Sequence, residues 1–254
     1  MAGSHVHALF RHGDSALHGL PPHVKIVAAF AFVFAVVATP REAFWAFAAF
    51  AAILLTLAAV ARLGARFVAS RMLIEVPFVI VAVALPFLAS GDRIDVAGVP
   101  LSVEGLWDAW NILAKATLGL LTSIVLAGTT QVVDMLRGFE TLRVPGVVTA
   151  IMGFMVRYLD VVGGEFGRQH VAMQSRGYSP RWIGDLGPHA RSIGRLFVRS
   201  YERGERVYLA MAARGYVGSI PRMARAAATP AAWGAAMAVP AAAWTLAVVA
   251  LVVR

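Results

Sequence analysis

Apolar runs and short polar connections alternate along most of this chain. Five apolar runs, between 16 and 25 residues long, cover residues 24–39, 43–61, 72–90, 106–130 and 231–253. A helix needs about 20 apolar residues to cross the roughly 30 Å hydrocarbon layer of a bilayer. The pattern therefore predicts an all-α, polytopic membrane protein with about five transmembrane helices.

Two local signals refine the predicted spans. Pro77 and Pro86 lie inside the third apolar run, and an interior proline removes a backbone donor and kinks a helix. We therefore expect that span to be bent. Between the third and fourth runs, the short alternation over residues 94–103, beside Gly98 and Pro100, is typical of a small β-hairpin.

Residues 131–225 are too polar to span a bilayer, yet they show helical periodicity. From Ile193 onward, apolar or small residues recur every three or four positions, and arginines occupy the other faces. This predicts a helix of about 25 residues, roughly 37 Å long, and two further helices at 132–142 and 145–176. The predicted organisation is a cytoplasmic tail (1–23), four transmembrane helices (24–130), cytoplasmic helices (131–225) and a last transmembrane helix (231–254).

A seven-residue motif occurs twice in this polar segment. Ala-Met-Gln-Ser-Arg-Gly-Tyr at 172–178 returns as Ala-Met-Ala-Ala-Arg-Gly-Tyr at 210–216, with five of the seven positions identical. In each copy a predicted helix reaches Arg and then meets Gly, which readily adopts the left-handed conformation that ends a helix. We therefore expect Arg176 and Arg214 to project from two helix tips, where each guanidinium can grip a carboxylate.

One turn before each predicted tip lies a methionine. Met173 and Met211 would add an adaptable apolar contact surface beside the arginines. Together the two copies predict two equivalent helix ends that dock on a partner protein. The alternative interpretation is that each Arg-Gly pair only closes a helix, and that the arginines bind lipid phosphate or solvent.

Composition and charge agree with a membrane location. The chain is 59% apolar and 15% charged, with a mean hydropathy of +0.71, whereas about a quarter of the residues of soluble domains are charged. The chain has no cysteine, which excludes a disulfide scaffold and a thiolate metal site.

The net charge is concentrated in the polar segment. Of the formal +9, residues 131–225 contribute 14 − 7 = +7, from fourteen arginines and seven acidic residues. The positive-inside rule then makes this segment and the N-terminus cytoplasmic and the C-terminus external. Anionic lipid of the inner leaflet explains the basic charge, so we expect no nucleic acid as a partner.

The sequence offers little for enzymatic chemistry. It lacks a Gly-Lys-Ser/Thr Walker sequence and the His-Glu-x-x-His and Gly-x-Ser-x-Gly motifs. We therefore expect a non-catalytic protein without a cofactor. Five irregularly spaced histidines near the N-terminus fit no defined metal geometry, and we predict no metal site there: His5, His7, His12, His18 and His23.

Charged residues within or near the predicted spans leave two interpretations open. Lys115 lies inside the fourth span, and Glu75 and Asp108 lie near span ends. Charges at membrane depth can line a proton or ion path. The alternative, which we favour, is an interhelical ion pair or a lysine that reaches the membrane surface.

The repeated motif resembles a known signature. Ser175-Arg176-Gly177 and Ala213-Arg214-Gly215 are similar to the two Ala-Arg-Gly signatures in the transmembrane T component of energy-coupling-factor (ECF) transporters, the modular ABC importers of vitamins and transition-metal ions. Ser175 replaces the first Ala of that pattern. Further segments look like the cobalt-transport, CbiQ-type branch, with His23 where that branch commonly has Arg: 14–18, 22–25, 136–138, 142–145 and 155–158.

The resemblance implies a scaffold in the cell membrane that binds no substrate itself. Its implied partners are two cytoplasmic ABC ATPase subunits, a metal-capturing, substrate-binding membrane subunit, a small accessory membrane protein, and the lipid bilayer. Lys115 is a candidate contact for the substrate-binding subunit. ATP hydrolysis would belong to the partner subunits. The residues that the resemblance assigns to ATPase docking are Met173, Ser175, Arg176, Gly177, Met211, Ala213, Arg214 and Gly215.

Two other functions compete with a cobalt importer. One is the same role in a nickel or vitamin ECF importer. The other is a stand-alone secondary transporter, which would need charged groups along a path between spans and would leave the repeated motif unexplained.

Overall fold

The computed structural model describes residues 10, 11, 13, 15–90, 92–96, 99–179, 187–217 and 228–253. Within them the chain is almost entirely helical, which confirms the all-α prediction. The helices, in chain order, are α1 (Ala16–Gly19), α2 (Pro22–Ala38), α3 (Phe44–Val60), α4 (Ala65–Met72), α5 (Val76–Leu88), α6 (Val103–Thr129), α7 (Val132–Thr141), α8 (Gly146–Ser175), α9 (Gly187–Ala212) and α10 (Pro230–Val252).

The chain divides into two compact units. The first takes its described residues from 9–138 and 226–254, and the second from 139–225. In the first unit, α2 packs against α10 and α6, and α5 packs against α6. Its apolar core joins aromatic rings of α2 and α3, such as Phe32 and Phe50, to small residues of α10, such as Ala243 and Ala247. Small residues let helix backbones approach closely.

Within the described part of the chain, four helices are long and apolar enough to cross a membrane: Ala65–Leu88, Val103–Thr129, Gly146–Ser175 and Pro230–Val252. These lengths support a multi-pass membrane protein. The first two predicted spans, α2 and α3, are apolar helices of only 17 residues each, about 26 Å at 1.5 Å per residue. Conversely α8, assigned by the sequence to the cytoplasmic segment, has the length and apolarity of a span. The count of five spans stays a prediction.

The break in the third predicted span differs from the expectation. A short 3₁₀ turn, Leu73–Glu75, separates α4 from α5. Pro77 falls in the first turn of α5 rather than inside it, where its missing N–H has no helical partner to lose. Only Pro86 is interior to the helix.

The predicted hairpin is confirmed. Strands β1 (Arg93–Val96) and β2 (Val99–Ser102) pair antiparallel. The Ser102 hydroxyl accepts a hydrogen bond from the Gly105 N–H (3.3 Å) and so caps α6. A Cβ on Gly105 would lie 2.7 Å from the carbonyl oxygen of Leu85, so glycine permits the close approach of α5 and α6.

Candidate functional site

The first copy of the repeated motif ends α8 in a Schellman motif. The N–H of Tyr178 donates to the carbonyl of Met173 (3.1 Å), and the N–H of Gly177 donates to that of Gln174 (2.9 Å). This 6→1 and 5→2 pair requires a left-handed residue at the fifth position, and Gly177 has φ +80°. Arg176 is therefore the last residue before the chain leaves the helix direction.

The second copy repeats this geometry at the end of α9. Tyr216 donates to Met211 (3.0 Å), Gly215 donates to Ala212 (3.0 Å), and Gly215 has φ +82°. The prediction that both motifs end helices at Arg-Gly is confirmed. Each methionine carbonyl also accepts the N–H of the motif arginine, Arg176 or Arg214.

The two copies also expose the same positions. In each, the first residue is exposed, Met is half-buried, the next four positions up to and including Gly are exposed, and Tyr is half-buried. Neither Arg176 nor Arg214 makes a side-chain hydrogen bond or ion pair with another described residue. Both guanidinium groups are therefore available to an external partner.

The deviation from the family signature at the first copy has a local explanation. Ser175 is exposed, and its hydroxyl donates to the carbonyl of Val171 one turn back (3.0 Å). The hydroxyl is thus satisfied within α8, and the exposed surface differs little from that of Ala213 in the second copy.

Polar contacts join α8 to α9 in antiparallel orientation. Near the start of α9, His189 Nδ1 is bonded to Tyr178 Oη (2.9 Å). Further along α9, Ser192 is hydrogen-bonded to Gln169, and Arg199 donates to Glu165 (2.8 Å). As the residue number increases along α9, the residue number of its contact partner therefore decreases toward the start of α8. The order of these contacts fixes the direction of the two helices.

This pairing separates the two motifs. Tyr178 ties the first motif to the start of α9, whereas Arg214 follows the end of that helix. The 25 residues from His189 to Arg214 correspond to about 37 Å. The structure therefore does not bring the predicted site residues together: it places them at two ends of one helix.

Sequence reasoning missed the residues that hold this pair. Glu165 is largely buried and bonds both Arg199 and Arg203, the latter at 3.4 Å. His189 lies against the rings of His170 and Tyr178, at 5.5 and 5.2 Å between ring centroids. For the His189 contact the sequence did hold a signal, because Tyr178 is the tyrosine that recurs at the seventh position of both motifs.

The charged residues near the spans are held by neighbouring helices. Lys115 donates to the carbonyl of Val37 (2.9 Å) at the end of α2, and Glu75 accepts a hydrogen bond from Thr117. Asp108 of α6 forms an ion pair with Arg41 (3.1 Å), which lies in the turn between α2 and α3; the carboxylate is thus paired, as the favoured interpretation expects, but with a turn residue rather than with a second helix. The hydrogen bond from Arg41 to Glu104 (3.0 Å) raises the pKa of the guanidinium above its ordinary value.

The N-terminal histidines do not act as one group in the described residues. His5, His7 and His12 lie outside them. His18 uses both ring nitrogens locally, with Ser15 Oγ at 2.7 Å and the Arg11 carbonyl at 3.0 Å. The ring of His23 lies against Trp233, with 5.8 Å between centroids.

These features define a multi-pass, helical membrane protein with two matched Arg-Gly helix ends. A sequence profile of the CbiQ family, described as cobalt transport protein, matches residues 13–226. The chain belongs to this CbiQ family, which confirms the resemblance to the CbiQ-type branch of the T components.

Individual relatives are more distant. The chain is 29% identical over 134 residues to an uncharacterised protein of Methanocaldococcus jannaschii, covering 50% of this chain and 48% of that protein. A second uncharacterised protein of the same organism is 27% identical over 132 residues, covering 50% and 44%. A protein of Methanocorpusculum labreanum, named as a fused cobalt transport protein CbiMQ, is 26% identical over 107 residues, covering 42% and 18%. The chain thus matches about half or less of each relative's length.

Proposed function

We propose that this protein is the energy-coupling transmembrane subunit of an ECF-type importer for a transition-metal ion, with cobalt as the cargo. Arg176 and Arg214 dock two cytoplasmic ATPase subunits, and the membrane helices hold the substrate-binding subunit. The protein itself is non-catalytic.

The observation that carries this proposal is the pair of helix ends with matching hydrogen bonds, one tied through Tyr178 to the start of α9 and the other at its end. The segment from His189 to Arg214 corresponds to about 37 Å. A single Arg-Gly helix end is a common C-terminal structure. Here the two ends share the same hydrogen bonds, the same exposed positions and guanidinium groups that pair with no described residue. Such a pair fits a partner that presents the same groove twice, as two copies of one ATPase subunit do.

The chemistry of the tips defines the partner surface. A guanidinium at a helix C-terminus is favoured by the helix dipole and binds a carboxylate through two parallel hydrogen bonds. We expect an acidic residue in each ATPase groove, because a buried arginine without a counter-charge would be costly. The half-buried Met173 and Met211 add apolar contact beside each arginine.

The links between α8 and α9 suggest how movement passes through the protein. Glu165 joins the two helices through Arg199 and Arg203. When the ATPase subunits approach each other on binding ATP, displacement of either tip is transmitted to the other helix through this contact. The membrane unit then receives one combined movement rather than two independent ones.

The cargo assignment rests on the family and on the name of one relative. The matching family is described as cobalt transport protein, and one relative is named as a fused cobalt transport protein. We infer that the substrate-binding partner captures the metal ion, with a small accessory membrane protein beside it.

The test is affinity purification of the tagged full-length protein from its native membrane, with mass spectrometric identification of what remains bound. The test variant is Arg176→Glu with Arg214→Glu. The matched control is Arg168→Glu with Arg195→Glu, which makes the same charge change at exposed positions of the same two helices.

We expect the natural protein and the control to retain an ATPase that the test variant loses. The co-purifying membrane subunit then identifies the cargo. Recovery of the ATPase with the test variant, or its absence from the natural protein, would overturn the docking mechanism; the second result would favour a stand-alone transporter.

A further inference from the structure

A cavity of about 170 Å³ lies in the membrane unit, between α1, α2, α3, α6 and α10. Its lining is apolar except for Lys25, Thr122 and Thr129. In another protein, an engineered apolar cavity of roughly 150 Å³ stays dry and binds benzene. By the same reasoning this cavity suits an apolar group of about six carbons.

The charged residue of the lining lies at one end of the cavity, so the two ends differ in polarity. Lys25 is in the first turn of α2 and Thr129 ends α6, so this end of the cavity lies where apolar helices meet the membrane surface. Phe32 and Thr122 line the other end, seven residues further along each helix, or about 10 Å deeper. The cavity therefore runs from one charged group at the surface toward the bilayer interior.

Lys25 keeps donor capacity in this lining. Its ammonium donates to the carbonyl of Thr129 (2.9 Å) and to the hydroxyl of Thr130 (3.1 Å), and an ammonium has three donors. The hydroxyls of Thr122 and Thr129 both donate within their own helix. One N–H of Lys25 is thus unused by the described residues.

Within the described residues, no counter-charge lies within ion-pair distance of Lys25. The residue is only 8% exposed, and both of its acceptors are neutral. Asp134 attracts it from beyond ion-pair distance and is itself bonded to Arg137 at 3.1 Å. A buried charge without a counter-charge is unfavourable, so the group that fits beside Lys25 is an anion.

We propose that this cavity binds the glycerol-proximal part of an acyl chain, about six carbons long, of an anionic phospholipid whose phosphate lies at Lys25. The bilayer supplies such a molecule at the surface end of the cavity, and its two parts match the two parts of the lining. Water suits only the amine end, and a metal ion would be repelled by it.

The test is native mass spectrometry of the full-length protein released from nanodiscs of phosphatidylcholine with a minor fraction of phosphatidylglycerol. Lys25→Gln keeps a hydrogen-bonding side chain without the charge, and Ala29→Leu fills the cavity. The matched controls are Lys115→Gln, the other lysine of the chain, and Ala52→Leu, an exposed alanine of α3 outside the cavity. Circular dichroism verifies that each variant is folded.

We expect the natural protein to retain a single phosphatidylglycerol. Loss of one charge-assisted hydrogen bond should lower retention by at least about tenfold in Lys25→Gln, and Ala29→Leu should lower it as well. Both controls should behave as the natural protein. Retention of phosphatidylcholine, of a free fatty acid or of no lipid by the natural protein, or equal loss in Lys115→Gln, would overturn the proposal.

Discussion

At the residue scale, the two lysines of the chain share one structural role. Of 23 basic residues only Lys25 and Lys115 are lysines, and each donates to a carbonyl at the end of a neighbouring helix, Thr129 of α6 or Val37 of α2. A lysine offers a compact ammonium on a flexible stem, whereas the planar fork of arginine suits carboxylates. Several arginines, in contrast, lie at the exposed helix ends (Arg176 and Arg214) or form ion pairs with carboxylates (Arg41, Arg199 and Arg203).

The two motifs require glycine because of its backbone conformation and not because a side chain would clash with its neighbours. A Cβ on Gly177 or Gly215 would meet nothing within 4 Å, yet both have φ near +80°. A side chain in the left-handed region costs about 1–2 kcal/mol. The same two glycines that end the helices therefore set the position of each arginine.

We predict that Gly215→Ala lowers the stability of the solubilised protein by about 1 kcal/mol. Gly204→Ala is the matched control, because Gly204 lies inside α9 and has open space at its Cβ. The control should raise stability by roughly 0.5–1 kcal/mol through helix propensity. Thermal unfolding followed by circular dichroism measures both changes, and a lower melting temperature in both variants would contradict the conformational explanation.

At the element scale, the contacts between α8 and α9 decide what the motifs can do. Periodicity placed α8 within one residue at either end, since the predicted 145–176 is observed as Gly146–Ser175, and it gave the length of α9, although that helix begins at Gly187, six residues before Ile193. It carried no information on how the two helices pair. That arrangement depends on Glu165, which is 34 residues from Arg199 in sequence, and a pattern within one helix cannot report such a contact.

Because the chain has no cysteine, the separation of the motifs can be measured with spin labels on Ser175→Cys and Ala213→Cys. We predict a distance of about 37 Å. Glu165→Ala should broaden the distance distribution, because it removes both arginine contacts between the helices.

The matched control for that experiment is Glu202→Ala. Among the described residues Glu202 pairs only with Arg206 of its own helix, at 3.9 Å, so the distribution should stay narrow. Equal broadening in the two variants would show that Glu165 does not specifically hold the pair.

At the scale of the whole molecule, charge and hydropathy predict a topology. Basic residues outnumber acidic ones by seven over residues 131–225, and such excess marks the cytoplasmic side. The lengths and apolarity of the helices support a multi-pass membrane protein. The side on which each terminus lies remains a prediction.

We predict that a cysteine at Val253 reacts with a membrane-impermeant maleimide on intact cells, because the positive-inside rule predicts an external C-terminus. A cysteine at Ala16 should react only after permeabilisation, because the same rule predicts a cytoplasmic N-terminus. Both positions are exposed in the protein, so access to the side chain itself does not limit labelling. Equal labelling of both positions from outside would contradict the topology.

The sequence by itself determined the class of protein, the helices and the two helix ends. Each of these follows from local physics: apolar length, three-to-four periodicity, and a glycine that adopts positive φ after an arginine. Only the tertiary structure decided the separation of Arg176 and Arg214, the break at Leu73–Glu75 and the cavity beside Lys25. These features depend on contacts between residues distant in sequence, such as Lys25 with Thr129, and no local pattern records which helix will pack against which.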